Sequence, residues 1–460
     1  MKHLHILGSA LLPLALSACA LAPPAKVALP APAQWQAPLP HNGSLTDLDS
    51  WWRQQGDQLL AQLISSAQAS SPSVAAAGER IAAARARRVA ATAALLPSLD
   101  AGASITRANQ QSLQPGGTTS QGGLQSAWEI DLFDGNRAAR NAAQARLAGA
   151  SAQWHEARVA VAAEVAGTYY SLRTCEQLLT VARQDAASRA DTARLTQLSA
   201  DAGFQAPATA ALARASAAEG NSRATQQRTL CDIDIKTLVA LAAIDETPLR
   251  ASLAAARPSE PPAIAISSVP AQLLAQRPDV FAAENDVAAA SLDIGSAQAQ
   301  RFPRLSLSGA IGAANFRTGG ENTKTDTWTI GPLAVSLPIF DAGVRRANVD
   351  TARARYASAV VAYRAAARGA VREVEQALIN LNSSTARGGD AQVSLQGYRI
   401  AFVAAEDRYK NGLGSLLELE DARRTRLASE NAVVTLQRER SAAWIALYRA
   451  AGGGWTRTAN

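Results

Sequence analysis

The side chains that most often perform chemistry are few in this sequence. It contains four histidines, His3, His5, His41 and His155. The first two belong to a segment that we expect to be removed, and the other two are isolated. The sequence therefore offers no set of His, Cys and Asp ligands at the spacing of a metal site, and its glycine clusters lack the spacing of a phosphate-binding loop. We expect neither enzymatic activity nor a bound metal or cofactor, apart from the lipid discussed next.

The first of three cysteines, Cys19, follows a secretory signal. Residues 1–18 have a basic start, an apolar run and a small-residue end, which is typical of a signal peptide. The tripeptide Leu-Ser-Ala before the cysteine resembles the lipobox of bacterial lipoproteins. That resemblance implies a diacylglycerol and an N-acyl chain on Cys19, which together give a stable anchor. Because Ala20 follows instead of aspartate, we expect the outer membrane as destination. The alternative is an ordinary signal peptide with a chance cysteine.

The other two cysteines, Cys175 and Cys231, lie in helical sequence on either side of a break. Glycine and proline interrupt the helical pattern near Gly203, and the midpoint of the two cysteines is (175 + 231)/2 = 203. Residues equidistant from the turn of an antiparallel hairpin face each other, and the periplasm is oxidising. We predict a Cys175–Cys231 disulfide; two buried free thiols are the alternative.

An internal duplication organises the elements that carry these residues. Pro97 recurs 206 residues later as Pro303, and Gly203 recurs 209 residues later as Gly412. An ordered series of such pairs indicates two repeats. The predicted segments are a signal peptide (1–18), a lipidated arm and equatorial segment (19–69), repeat 1 (70–244), a linker or equatorial segment (245–275), repeat 2 (276–452) and a tail (453–460).

Each repeat has the same predicted order of helix, strand, loop, strand, very long helix, turn and helix. The β-hairpins are expected at about 97–134 and 303–340, with loops at 113–123 and 317–326. The long helices are expected at about 136–244 and 344–451. The return strands alternate in period two. Their predicted apolar faces carry Leu124, Trp128, Ile130 and Leu132 in repeat 1, and Leu333, Val335, Leu337 and Ile339 in repeat 2.

Strands of about ten residues with one apolar and one polar face match transmembrane β-strands. A sheet in lipid has to close, because unpaired strand edges are not tolerated there. Four strands per chain cannot close around a lumen, so several chains would share one barrel. The predicted fold class is mainly α with a β-barrel. After the signal, no run of 18 apolar residues predicts a transmembrane helix.

The charge of the chain does not indicate a nucleic-acid protein. The sequence has 45 Lys and Arg against 38 Asp and Glu, a net charge of +7. The basic residues are spread among acids along the helices, which is typical of solvated helix faces. We expect no nucleic-acid partner.

Several motifs together resemble one known family, the outer membrane factors of tripartite efflux systems, which are TolC-like proteins, in their NodT-type lipoprotein branch. The motifs are Gln276-Arg277-Pro278-Asp279-Val280, Ala282-Ala283-Glu284, Phe302-Pro303-Arg304-Leu305, Phe340-Asp341-Ala342-Gly343 and Gly452-Gly453-Gly454-Trp455. Residues 48–64 also look like the family's mature N-terminus.

The resemblance implies a homotrimer with a 12-stranded barrel in the outer membrane, a periplasmic α-helical barrel and a mixed α/β equatorial belt. It also implies passive conduction, with a periplasmic adaptor and an inner-membrane pump as partners. The alternative is a periplasmic structural or adaptor lipoprotein built on helical hairpins, which predicts no amphipathic strand pairs.

The resemblance also implies a periplasmic gate. In the family, the segment matching 417–424 lines the closed tip of the helical barrel. By position, Leu417 and Asp421 would point into the pore and form a leucine ring and an aspartate ring in a trimer. Arg424 could tie Asp421 to a neighbouring helix.

Two alternatives to this gate remain open. Glu418 or Glu420 could face the lumen instead of Asp421. The segment could also be a surface helix on which Glu420 and Arg424 form an ordinary i,i+4 pair. Repeat 1 has Ala208 and Leu212 at the matching positions, so only the second helical hairpin would supply the charge.

Overall fold

A computed structural model describes residues 27, 31, 32, 34–37, 52, 57–109, 116–256 and 270–455. The predicted signal peptide, Cys19, most of the arm, linker residues 257–269 and tail residues 456–460 lie outside the described residues.

The described helices and strands follow the duplicated order. The helices are α1 (Gln58–Ser70), α2 (Pro72–Ala93), α3 (Gly135–Asp201), α4 (Pro207–Ala242), α5 (Glu246–Ala255), α6 (Pro270–Ala275), α7 (Pro278–Ala299), α8 (Val344–Lys410) and α9 (Leu416–Ala450). The strands are β1 (Ser98–Ala108), β2 (Gly117–Ile130), β3 (Arg304–Thr318) and β4 (Glu321–Ser336). The predicted combination of long helices with two antiparallel hairpins is confirmed.

The two repeats match closely in the lengths of their helices. The helices before the hairpins, α2 and α7, have 22 residues each. The long helices after the hairpins, α3 and α8, have 67 residues each. No helix of the described residues is long and apolar enough to cross a membrane.

The four strands form one antiparallel sheet in the order β1-β2-β3-β4. The register between β2 and β3 pairs Trp128 with Leu307 and Ile130 with Leu305. Since paired residues share a face, the apolar side chains of both repeats lie on the same side of the sheet. That side is uncovered in the chain: Trp328 is 73% exposed and Ile330 86% exposed.

The predicted loop at 317–326 is wrong. Strands β3 and β4 continue to a two-residue turn, Gly319-Gly320, whose φ angles are +59° and +93°. Glycine adopts such positive φ angles without steric cost, so the chain can reverse within two residues. The polar residues around the turn belong to the strands.

The first hairpin and the end of β4 also differ from the predicted boundaries. Strand β2 begins at Gly117, inside the predicted loop 113–123. Strand β4 ends at Ser336, so Leu337 and Ile339 lie beyond the strand. Pro338, which lies between them, has no N–H to donate to a strand ladder.

A bulge in β4 places both even- and odd-numbered residues of this strand on the apolar face. The register pairs Gly309 with Ile330 but Leu307 with Leu333. Strand β4 therefore uses three residues where β3 uses two, and the side-chain alternation shifts by one position. Because of this shift, Ile330 and Leu333 both point to the apolar side.

The described chain divides into two compact units. The first contains the sheet, within Gly78–Ala152 and Phe281–Ala365. The second contains most of the remaining helices, and its core includes Leu60, Leu238 and Leu447.

Two polar contacts fix the N-terminal residues of the second unit. The Asp57 carboxylate accepts a hydrogen bond from the Leu60 N–H at 3.0 Å and another from the buried Tyr169 hydroxyl. The Glu375 carboxylate accepts hydrogen bonds from the N–H groups of Gln36 and Ala37, at 2.6 and 2.7 Å.

The close approach at Gly452 gives a test of this packing. Gly452 has a φ of +86°, and a Cβ built on it would lie 2.6 Å from the carbonyl oxygen of Gln276. We expect Gly452→Ala to destabilise the protein by about 1–3 kcal/mol, since both the backbone and the neighbour would be strained. The measurement is thermal unfolding followed by circular dichroism in detergent.

The control is Gly388→Ala, a position in α8 with open space around the built Cβ. Alanine is the better helix former by roughly 0.5–1 kcal/mol, so this variant should unfold at the same or a higher temperature. Equal melting temperatures for both variants would contradict the packing at Gly452.

Candidate gate at the ends of the helical hairpins

The two helical hairpins, α3–α4 and α8–α9, end in the same kind of turn. Gly203 and Gly412 have φ angles of +77° and +73°. In the first turn the N–H of Phe204 donates to the Ser199 carbonyl, and in the second the N–H of Leu413 donates to the Arg408 carbonyl, both at 2.8 Å. This bonding satisfies carbonyl groups at the helix ends. The duplication therefore extends to the hairpin tips.

Both tips expose large apolar side chains. Phe204 is 85% exposed, and Leu413 occupies the equivalent position 209 residues later. Leu417, in the first turn of α9, is 76% exposed. Exposed apolar groups at the end of a helical hairpin favour contact with another chain.

A buried charge network joins the two hairpins behind the tips. Arg423 is fully buried, at 0% exposure, and its guanidinium pairs with the Glu420 carboxylate. Arg189 on α3 binds the same carboxylate at 2.5 Å and binds Asp185 at 2.9 Å. Glu420 on α9 therefore receives one arginine from its own helix and one from α3. Because burial disfavours its charged form, the pKa of Arg423 is lowered.

Neutral hydrogen bonds reinforce this network. The Arg423 guanidinium donates to the Thr192 hydroxyl at 2.9 Å and to the Ser188 hydroxyl at 3.1 Å. The Thr196 and Tyr409 hydroxyls lie 2.6 Å apart, which links α3 to the end of α8. The hairpins are thus held by a polar seam that is shielded from water.

The predicted gate residues are on the same helix as Glu420 and Arg423, but their side chains point to the exposed side of α9 and not into the buried seam. Leu417 and Asp421 are exposed and lie four residues apart on α9. The Asp421 carboxylate pairs with Arg424 of the same helix. Arg424 therefore binds Asp421 locally, and among the described residues it makes no ion pair with another helix.

The structure distinguishes the three acidic residues of this segment. Glu418 pairs with Arg408 at 2.6 Å across the turn. Glu420 is engaged by Arg189 and Arg423, so the ordinary Glu420–Arg424 pair does not form. Asp421, which is paired with the exposed Arg424 of its own helix, is the most exposed of the three carboxylates, at 61% against 41% for Glu418 and 21% for Glu420.

Sequence reasoning missed the α3 side of the network. A signal was present, because polar side chains recur at helical spacing along α3, at Asp185, Ser188, Arg189, Thr192 and Thr196. Such a stripe is typical of a polar helix–helix seam as well as of a solvated face.

The two cysteines lie on neighbouring helices of the first hairpin. Their sulfurs are 2.15 Å apart in a disulfide, with Cα atoms 5.5 Å apart and a sequence separation of 56. Both cysteines are buried in the core of the second unit. The bond fixes the register of α3 against α4 well away from the tip.

Comparisons with known proteins extend this description. A family model described as outer membrane efflux protein matches residues 63–243 and 269–453. The chain is similar to the pyoverdine export outer membrane protein OpmQ of Pseudomonas putida, at 31% identity over 469 residues, which is 97% of each chain.

Two solved structures are also similar. The outer-membrane channel OprN has a TM-score of 0.83 and 27% identity, with 94% of this chain and 99% of that chain covered. The outer membrane protein VceC of Vibrio cholerae has a TM-score of 0.78 and 26% identity, with 90% and 100% covered. Similarity over nine-tenths or more of each chain shows that these neighbours share the overall fold.

Two adjacent arginines give a matched test of the buried seam. We expect Arg423→Ala to destabilise the protein by about 3–5 kcal/mol, because it leaves the Glu420 carboxylate with one fewer partner in a buried setting. Arg424→Ala removes an exposed guanidinium and should change the melting temperature little. Hydrogen exchange of residues 185–196 provides a local measurement, since only Arg423→Ala should increase exchange there. Similar exchange in both variants would contradict the seam.

Proposed function

We propose that this chain, which belongs to the outer membrane efflux protein family, is the outer-membrane channel of a tripartite efflux pump. The resemblance predicted from the motifs is thereby confirmed. The family consists of channel proteins of the outer membrane, and conduction through such a channel is passive. An inner-membrane pump would supply the energy, and a periplasmic adaptor would connect the two.

The sheet is the observation that carries this proposal. Its apolar side is half-buried at Leu305 and Leu307 on β3 and exposed at Ile311. On β4 it is exposed at Trp328, Ile330, Leu333 and Val335. A soluble protein rarely leaves so continuous an apolar surface in water. Lipid would cover it, while the opposite face, with Thr325, Thr327 and Thr329, would face an aqueous lumen. The rival function, a periplasmic adaptor lipoprotein, has no use for such a sheet.

The edges of the sheet support assembly into a trimer. Within the described chain, β1 and β4 are edge strands, each paired on one side only. In lipid these edges need partners, so β4 of one copy would pair with β1 of the next. Two copies would give eight strands, an interior that side chains fill. Three copies give 12 strands and room for a lumen.

The exposed apolar tips support docking of the adaptor. Phe204 and Leu413 would contact apolar side chains of the adaptor's own helical end, and the pump would bind beyond it. A lipid on Cys19 would add a second attachment to the outer membrane beside the barrel. The lipidated arm would approach the helices where Glu375 binds residues 36 and 37.

The same tips support a gate. In a trimer, three copies of Leu417 and of Asp421 would constrict the periplasmic entrance. Asp421 serves this role better than its neighbours, since Glu418 and Glu420 are already bound across the turn and across the hairpins. Carboxylates in a narrow pore attract cations.

Surface labelling tests the outer-membrane topology. We expect Asn322→Cys, at the tip of the second β-hairpin, to react with a membrane-impermeant maleimide on intact cells. The matched control Asp201→Cys, at the tip of the first helical hairpin, should react only after the outer membrane is permeabilised.

The mass of the detergent-solubilised protein should correspond to three chains. Labelling of both sites only after permeabilisation would contradict a spanning sheet.

Conductance tests the gate. In planar bilayers, Asp421→Ala should raise single-channel conductance and weaken cation selectivity, because a ring of three carboxylates is removed from the constriction. Asp390→Ala, which removes an exposed carboxylate in the middle of α8, should leave both unchanged. If Asp421→Ala behaves like this control, Asp421 is not part of the gate.

A further inference from the structure

One arginine in the sheet-containing unit lies between two acids on the neighbouring helix. Arg146 on α3 forms an ion pair with Asp293 on α7. Burial raises the pKa of Asp286, which lies about two helical turns nearer the N-terminus of α7 than Asp293, and the charge of Arg146 opposes that shift. The seam between α3 and α7 therefore places one cation near two carboxylates.

The duplication assigns each of these residues a counterpart in the other repeat. Helices α2 and α7 both have 22 residues and start 206 apart, so Asp286 and Asp293 correspond to Arg80 and Arg87. Helices α3 and α8 both have 67 residues and start 209 apart, so Arg146 corresponds to Arg355. Both acids of the internal seam are thus replaced by arginines.

The packing of the internal seam shows which surface of α8 is involved. A Cβ built on Gly135 would lie 2.8 Å from the Ala299 side chain, and one built on Gly149 would contact Ala282. The matching surface of α8 is a stripe of mostly small, exposed residues around Arg355. It consists of Val344, Ala347, Thr351, Ser358 and Ala362.

These counterpart surfaces meet when the barrel closes. Helix α2 leads into β1 and α8 follows β4, so both helices lie at the edges of the sheet. Pairing β4 of one copy with β1 of the next then places α8 beside α2 of that copy, as α3 lies beside α7 within the chain. This step rests on the trimer of the proposed function.

The resulting junction between copies carries a surplus of positive charge. Arg80, Arg87 and Arg355 are exposed in the chain, and no ion pair engages them among the described residues. Glu79 lies beside Arg80 and offsets part of the charge. By this correspondence, Arg87 and Arg355 would lie at the spacing of an ion pair, with Arg80 about two helical turns from Arg87 on the same face. Guanidinium groups so placed repel one another unless an anion lies between them.

We propose that each junction between copies is an anion-binding site formed by Arg80 and Arg87 of one copy and Arg355 of the next, and that its ligand is a phosphate-type oxyanion. Guanidinium groups bind such oxygens through paired N–H donors, which makes arginine the preferred residue for phosphate. The oxyanion is either free phosphate or the headgroup of an anionic phospholipid. A trimer holds three such sites.

The test measures thermal dissociation of the trimer in a neutral detergent. Sodium phosphate should raise the dissociation temperature of the full-length protein by roughly 3–5 °C over sodium chloride at equal ionic strength, because the ligand binds only the assembled form. A second arm adds phosphatidylglycerol to the micelles in chloride buffer. A shift in the first arm identifies free phosphate, and a shift in the second alone identifies a lipid headgroup.

A charge reversal separates this site from general salt effects. Arg87→Asp restores the charge pattern of the internal seam, so it should raise the dissociation temperature in chloride and abolish the shift caused by the anion. The control is Arg85→Asp, which reverses an exposed arginine on the opposite side of α2 and should keep the full anion shift.

The outcomes distinguish this proposal from the proposed function. A trimer that shows no shift with either anion, or an Arg87→Asp variant that keeps the whole shift, overturns the anion site alone. A protein whose mass does not correspond to three chains overturns the shared barrel, and the junction with it.

Discussion

Backbone pairing in lipid is the constraint on which the rest of this structure depends. A strand that leaves N–H and C=O groups unpaired in hydrocarbon loses several kcal/mol for each group. The four-stranded sheet pairs its two inner strands fully and leaves the outer sides of β1 and β4 open. In the proposed trimer, closure would come from the edge strands of other copies. The duplication provides a model for that contact, because β4 of one copy could pair with β1 of the next in the way that β2 pairs with β3 inside the chain.

The helices follow the same duplicated arrangement, but the charges at equivalent positions of the two repeats differ. Helices α2 and α7 agree in length, and so do α3 and α8, so the backbone of the internal seam can be repeated between copies. The side chains are free to differ, since only the small residues at the closest approach are fixed by packing. Asp293 of one seam and Arg87 of the other occupy equivalent positions with opposite charge. The same backbone arrangement can thus form a seam between α3 and α7 whose charges neutralise each other. In the proposed junction between α8 and α2 of the next copy, it would form a seam that needs a bound anion.

Sequence patterns predicted the presence of the helices and strands better than the residues at which the strands begin and end. Period-two alternation predicted the return strands β2 and β4, because one face of each meets an apolar medium, and the repeated order of elements predicted a strand before each of them. The polar residues around Gly319 have the composition of a turn and so predict a loop, but the paired strands continue to Thr318 and resume at Glu321 with polar side chains. Arg423 was not predicted as buried, since arginine in a long polar helix ordinarily reads as solvent-exposed. Its burial depends on partners in α3, more than 200 residues away.

In the proposed gate, neighbouring residues on α9 would have different roles, one group holding the hairpins together and the other interacting with passing ions. Successive helical residues point about 100° apart. That rotation directs Glu420 into the seam with Arg189 and Arg423, and leaves Asp421 on the open side with Arg424. Separating the hairpins requires exposing the buried charges of the first group, which is costly unless new partners replace them. The exposed pair adds little to that barrier, since ion pairs in water are weak. The free energy that opposes opening would therefore reside in Glu420, while the charge presented to a passing ion would be that of Asp421.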